Sequence, residues 1–274
     1  MTPSPTAAGV TDWSSDLHAS AQLALACLDL TSLNEQDSEA DIERLCQRAQ
    51  NRFGPVSAVC VWPRLAACAR AQLPAHIAVA AVANFPDGGA DLQRAVRDTG
   101  VIVQSGAQEV DLVLPYTQLI GGDEHSVAHL LDAVRMACPG LLLKVILETG
   151  ELKSEALIAR AARLALDAGA DFLKTSTGKT PISATPEGAR IMLAAIAADA
   201  SAVKRVGFKA AGGIRTVQEA ARYIALCREY LGPKALNATR FRIGASSVLS
   251  EIEAILGGTA PAGAGPTAAP VNSY

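Results

Sequence analysis

Lys174 lies in ADFLKTSTGKT (170–180), inside an apolar run that opens into a polar loop. Lys144 in LLLKVILE (141–148) and Lys209 in RVGFKAAG (205–212) share that setting, and Asp111 sits in EVDLVLPY (109–116). An unprotonated amine is a nucleophile toward carbonyls, yet a free lysine with a pKa of ~10.4 is almost wholly protonated at neutral pH. A second cation nearby and poor solvation both disfavour the ammonium, and a drop of ~3 units corresponds to ~4 kcal/mol. Clustered lysines in apolar surroundings therefore suit Schiff-base chemistry, with one amine as nucleophile. The third lysine and the aspartate would move protons. One such lysine alone is as readily a salt-bridged structural residue, but three with an aspartate favour a functional cluster. Glu148 is available as a structural partner for any of them.

The GKT at 178–180 is not the end of a phosphate-binding P-loop, because G-x-x-x-x-G-K-[ST] requires glycine at 173 and the residue is Leu173. Anion binding is expected by another route. STGKT, AAGGIRT and GASSVLSE follow the last three apolar runs. There Gly178, Gly212, Gly213 and Gly244 permit close backbone approach, while Lys179 and Arg215 carry charge. Ser246 and Ser247 open the last helix, whose N-terminal amides favour an anion, and Ser246 is a plausible N-cap.

Other reactive residues read as structural. His125 and His129 have helical i, i+4 spacing but lack the glutamate of H-E-x-x-H and a third ligand, so no metal site is expected. The six cysteines form no C-x-x-C pair and sit mostly in apolar runs, as buried free thiols do. Cys60 and Asn84 are read as packing or hydrogen-bonding residues. A net charge of -3 and a pI near 5.8 argue against a nucleic-acid or anionic membrane surface. No apolar run approaches the ~20 residues of a membrane span, and no signal segment opens the chain, so a cytoplasmic location is expected. A homodimer is compatible with the sequence and not required by it.

These residues need elements to place them. Eight strand-like runs begin near residues 23, 56, 77, 109, 141, 171, 205 and 240, each followed by a helix-like stretch. SEALIARAARLALDAG (154–169) and TVQEAARYIALCREYLG (216–232) have helical apolar spacing, with Thr216 as N-cap and Gly169 and Gly232 as stops. Units of ~30 residues predict an α/β protein with a single (β/α)8 TIM barrel. An open doubly wound sheet is weakened by a first turn, LDLTSLNEQDSE, without a glycine-rich fingerprint. A short N-terminal helix in DWSSDLHASAQLA is placed to close the base of the barrel, the barrel domain runs over 1–256, and 257–274 is a flexible Gly/Pro/Ala-rich tail. Chemistry in such a barrel gathers at the carboxyl ends of the strands, where Asp29, Thr31, Asp111, Lys144, Lys174, Thr177 and Lys209 fall.

The sequence resembles the deoxyribose-phosphate aldolases, class I aldolases on a (β/α)8 barrel. The resemblance runs in order through LDLTSL (28–33), CVWPR (60–64), ANFPDG (83–88), EVDLVLPY (109–116), LKVILETGEL (143–152), ADFLKTSTGK (170–179), GFKAAGGIRT (207–216) and GASSVL (244–249). It implies that Lys174 forms the imine with acetaldehyde, that Lys209 depresses its pKa, and that Asp111 and Lys144 activate water and shuttle protons. It assigns Gly178, Lys179, Gly212, Gly213, Arg215, Gly244, Ser246 and Ser247 to phosphate binding, and places Asp29, Thr31 and Thr177 near the substrate. The implied reaction is reversible cleavage of 2-deoxy-D-ribose 5-phosphate to acetaldehyde and D-glyceraldehyde 3-phosphate, in deoxynucleoside catabolism, with no metal or other cofactor.

Two positions depart from the bacterial pattern, Ala210 for a proline and Phe241 for a tyrosine, and neither touches the proposed chemistry. Tyr274 resembles the family's C-terminal tyrosine, which reaches the site from a flexible tail. The alternatives are a transaldolase-like Schiff-base barrel, or a non-catalytic binder of phospho-sugars or nucleotides.

Overall fold

The computed structural model describes residues 17–259. Eight parallel strands close into a barrel: β1 (Leu28–Thr31), β2 (Ala58–Val61), β3 (Ala78–Ala83), β4 (Glu109–Val113), β5 (Leu142–Ile146), β6 (Phe172–Lys174), β7 (Gly207–Ala211) and β8 (Phe241–Ala245). Each strand pairs with its neighbours in sequence, and β8 returns to β1 with Leu28 opposite Ile243. The doubly wound alternative is thereby excluded.

Alternation along the strands separates two interiors. Leu28, Leu30, Val59, Val79, Leu112, Val145, Leu173, Phe208 and Ile243 belong to the large cluster between sheet and helices. A smaller inner cluster holds Cys60, Ala80, Val82, Val113 and Ile146. The charged residues occupy the intervening inward positions of β1 and β4–β8. A run that reads as continuously apolar is thus buried on both faces, and a charge in it points along the barrel axis.

The helices form largely where their patterns place them. Glu155–Asp167 is capped by Ser154, and Val217–Leu231 starts with a capping box between Thr216 and Glu219. Gly169 and Gly232 lie just beyond these two helices, both with φ near +80°. The N-terminal helix Leu17–Ala26 packs against Val217–Leu231 and the last helix, Val248–Leu256, and its final turn lies beside Gly54–Pro55 and Ser57, at the amino ends of the strands. The N-cap of that last helix is Ser247, not Ser246, and its side chain makes no capping hydrogen bond. The sixth strand stops at Lys174, three residues earlier than its composition suggests. The Thr175 hydroxyl bonds both the carbonyl and the amide of Ala211, so the chain leaves the ladder while staying tied to β7. Tyr274 and nearly all of the expected tail lie outside the described residues.

Candidate active site

Register brings the charges together. Asp111 on β4 lies beside Lys144 on β5, and Lys174, Lys209 and Arg242 are successive lateral neighbours across β6, β7 and β8. Long side chains from these positions meet inside the barrel. Lys144 Nζ donates to Asp111 Oδ1 at 2.8 Å and to Asp29 Oδ2 at 3.1 Å, and lies 2.5 Å from Glu109 Oε2. Lys209 Nζ donates to Asp111 Oδ2 at 2.8 Å and to Asp29 Oδ2 at 2.5 Å. Lys174 Nζ donates to Asp111 Oδ2 alone, at 2.7 Å. Small residues make the room: a Cβ on Gly244 would lie 3.0 Å from Lys209 Cε, and one on Gly207 would run into the Phe172 ring at 2.3 Å.

The number of carboxylate partners sorts the three amines. Lys144 has three and Lys209 two; burial disfavours both ammonium ions, but Asp111 and Asp29 outweigh it and hold both pKa values above the ordinary lysine value. For Lys174 the balance reverses. Burial is the largest effect, Lys209 adds to it, and the single bond to Asp111 does not compensate, so its pKa is lowered. Burial would raise the Asp111 and Asp29 carboxyls, yet the surrounding cations hold both well below the usual range. Lys174 is therefore the amine in this cluster predisposed to be neutral.

Lys174 is also where the cluster meets open space. A cavity of about 370 Å³ opens at the carboxyl ends of the strands and is lined by Lys174, Thr31 and Thr177. Gly178 and Lys179 line it from the loop after β6, and Gly212, Gly213 and Arg215 from the loop after β7. Gly244, Ser246 and Ser247 complete that side. All of the expected phosphate-loop residues thus face one cavity. Gly212 has φ +84°, and a Cβ there would lie 2.6 Å from Ser183, so the loops after β6 and β7 pack too closely for a side chain. Lys179 Nζ donates to the Leu33 carbonyl at 2.7 Å, bridging to the loop after β1.

Two expectations change. Asp29 does not line the cavity; it is fully buried between Lys144, Lys209 and Arg242. Glu148 partners no lysine: it accepts from the Thr177 amide and hydroxyl, at 3.2 and 2.5 Å, and from Thr180. Cys60, read as a packing or hydrogen-bonding residue, has its Sγ 3.8 Å from Asp111 Oδ2, with burial raising its thiol pKa.

Glu109 and Arg242 were missed. Arg242 donates to Asp29 Oδ1 at 2.5 Å and to Glu109 Oε1 at 2.7 Å. The available signal was an arginine in RFRIGA and a glutamate opening EVDLVL, both charges in strands covered on both sides. Arg48, from the helix Glu39–Ala49, also lines the cavity and was not anticipated.

The DeoC/LacD family aldolase model matches residues 23–247. The chain belongs to this family. It is accordingly an aldolase, a carbon–carbon lyase. A curated deoxyribose-phosphate aldolase of Agrobacterium fabrum is 48% identical over 245 residues, covering 88% of this chain and 93% of the relative. Among solved structures, QR15, an aldolase, superposes with a TM-score of 0.73 at 29% identity, covering 85% of this chain and 96% of its own. The tetrameric deoxyribose phosphate aldolase of Aeropyrum pernix gives a TM-score of 0.65 at 23% identity, covering 88% and 97%. A Toxoplasma gondii chain gives 0.80 at 23% identity, covering 90% and 97%. The last two likenesses show the barrel alone. One cavity thus brings Lys174 together with the glycine-rich loops after β6, β7 and β8.

Proposed function

We propose that this chain reversibly cleaves 2-deoxy-D-ribose 5-phosphate into acetaldehyde and D-glyceraldehyde 3-phosphate through a Schiff base on Lys174. The observation that carries the reading is that Lys174, the lysine whose ammonium is disfavoured, lines the same cavity as the anion loops. The 48% identity to a deoxyribose-phosphate aldolase supports the choice of substrate.

The neutral amine adds to the C1 aldehyde carbon to give a carbinolamine. Loss of hydroxide as water, with a proton delivered by the Asp111–Lys144–Lys209 cluster, leaves an iminium. A base removes the proton of the C3 hydroxyl, the C2–C3 bond breaks, and its electron pair enters the iminium as an enamine. D-Glyceraldehyde 3-phosphate departs, the enamine takes a proton at C2, and water hydrolyses the imine to release acetaldehyde and restore the amine. Asp111 bonds the nucleophile and both neighbouring lysines, so it is the proposed hub of proton transfer. Gly178, Lys179, Gly212, Gly213, Arg215, Gly244, Ser246 and Ser247 are the proposed phosphate contacts. Thr31 and Thr177 border the sugar; Asp29 acts through the lysines.

We place this activity in cytoplasmic deoxynucleoside breakdown, without a metal or cofactor. A homodimer is proposed, which light scattering distinguishes from a tetramer. Borohydride reduction with acetaldehyde, followed by peptide mass analysis, tests the mechanism. The expected adduct is on Lys174; an adduct on Lys144 or Lys209, or none, overturns it. Activity with ketone donors in place of acetaldehyde would favour transaldolase-like chemistry.

A further inference from the structure

Beneath the reacting amine, the barrel holds a second ion pair with no contact to the cavity. Arg242 uses both terminal nitrogens on Glu109, at 3.3 and 2.7 Å, and one of them also on Asp29. Its Nε donates to the Ala238 carbonyl, and its guanidinium carbon stands 5.6 Å from the centre of the Phe172 ring. Arg242 and Glu109 are 4% and 1% exposed, so both charges have been taken out of water. Such a pair rarely adds net stability over apolar residues of similar size. Its presence under a reacting amine calls for another reason.

Counting the barrel's charges supplies one. Asp29, Glu109 and Asp111 carry three negative charges, and Lys144, Lys209 and Arg242 three positive ones. The set balances only when Lys174, the remaining member, is neutral. We infer that Arg242 and Glu109 are positioning residues that set the interior charge so that Lys174 is held as a free amine. Arg242 supplies the cation that makes a protonated Lys174 one charge too many, and Glu109 keeps the excess from going further. Lys209 acts on Lys174 beside it; this pair acts from the opposite end, through Asp29 and Lys144. The inference rests on Lys174 being the nucleophile.

The remaining groups around the cluster are untouched by changes at Arg242 or Glu109. β2 contributes Cys60, whose thiol burial keeps protonated, and β3 contributes Ala80 and Val82. Cys27, beside Arg242 and Asp29, is pushed up to about 12 and stays neutral. Glu148, after β5, lies close enough to Lys174 to feel its charge; burial raises its pKa, Thr177 and Thr180 donate to it, and it is the same in every variant below.

The test is a double-mutant cycle of charge neutralisation, read as the pH dependence of borohydride trapping at Lys174. Arg242→Met leaves one surplus negative charge, so the trapping limb should move about one pH unit or more toward alkaline. Glu109→Gln leaves a surplus positive charge and should move it toward acid. The double variant restores the balance and should return the limb toward wild type, whatever happens to the maximum rate. Shifts of the two single variants in the same direction, or no shift, overturn the inference, because a purely structural role lowers amplitude without opposite displacements. If Arg242→Met does not fold, the acid shift of Glu109→Gln decides. A wild-type adduct away from Lys174 refutes the underlying assignment, separately from the cycle.

Discussion

Lys174 and Lys209 donate to a single carboxylate oxygen, Oδ2 of Asp111, from 2.7 and 2.8 Å. Sharing divides the anion's stabilising field between two ammonium groups, and Lys209 has Asp29 in reserve while Lys174 has none. The geometry thus decides which of two adjacent amines gives up its proton, although both sit in the same buried layer.

Lys209→Leu removes a neighbouring cation and leaves Asp111 Oδ2 to Lys174. Both changes favour the Lys174 ammonium. Activity needs the neutral amine, so raising this pKa moves the ascending limb of kcat/KM to higher pH. The expected outcome is an alkaline displacement or loss of activity at neutral pH, measured as a pH–rate profile. An unchanged profile would remove Lys209 from its electrostatic role.

Glu148 offers a prediction about substrate affinity. It sits in the left-handed region with φ +56°, an uncommon place for a side chain other than glycine, and points its carboxyl at the loop that carries Gly178 and Lys179. Thr177 Oγ1 in turn accepts from the Lys179 amide at 3.0 Å. Glu148→Ala should free this loop and raise KM for the phosphorylated substrate about tenfold, since losing hydrogen bonds to a buried carboxyl costs ~1.5–3 kcal/mol. Acetaldehyde trapping at Lys174 should change much less, and Glu148→Gln should recover most of the affinity. Equal loss in both assays would show that Glu148 supports the whole site.

Gly212→Ala tests the packing between the two anion loops. An alanine would be strained at φ +84° and would meet Ser183 at 2.6 Å. Loop displacement should lower phosphate affinity strongly while costing ~1–3 kcal/mol of stability. Isothermal titration with inorganic phosphate, beside a melting curve, reads the two effects separately, and an unchanged affinity would dissociate this loop from anion binding.

Much of this was legible in the sequence because the barrel's repeat makes position in a strand equivalent to position in the fold. Lys144, Lys174, Lys209 and Asp111 each interrupt a run otherwise apolar on both faces, so their convergence could be read from strand order. Asp29 could not be placed so finely. Whether a strand-end aspartate faces the cavity or the axis depends on the stagger of the barrel, and here Asp29 lies beside Gly244, beneath the opening. Glu109 and Arg242 escaped because one opens its strand and the other follows a single strand residue, near ends where a charge ordinarily reaches solvent. The start of β4 and the inward turn of Arg242 over Phe172 bury them instead. Glu148 was misread for a related reason: the chain turns left-handed at that residue, which local pattern does not announce.

The same network should make the fold sensitive to acid. Asp29 and Asp111 have folded-state pKa values depressed below their unfolded value of ~3.9, so their stabilising contribution is complete above that pH and is lost as pH falls toward the folded values. The melting temperature should hold from neutrality to about pH 5 and then fall steeply. Asp29→Asn removes one of these groups and leaves Arg242, Lys144 and Lys209 with fewer partners, at a cost of ~3–5 kcal/mol at neutral pH. It should also flatten the acid dependence, because one fewer carboxylate binds a proton on unfolding. Calorimetric melts from pH 3 to 8 measure both effects, and an undiminished acid slope in the variant would show that Asp29 does not contribute to it.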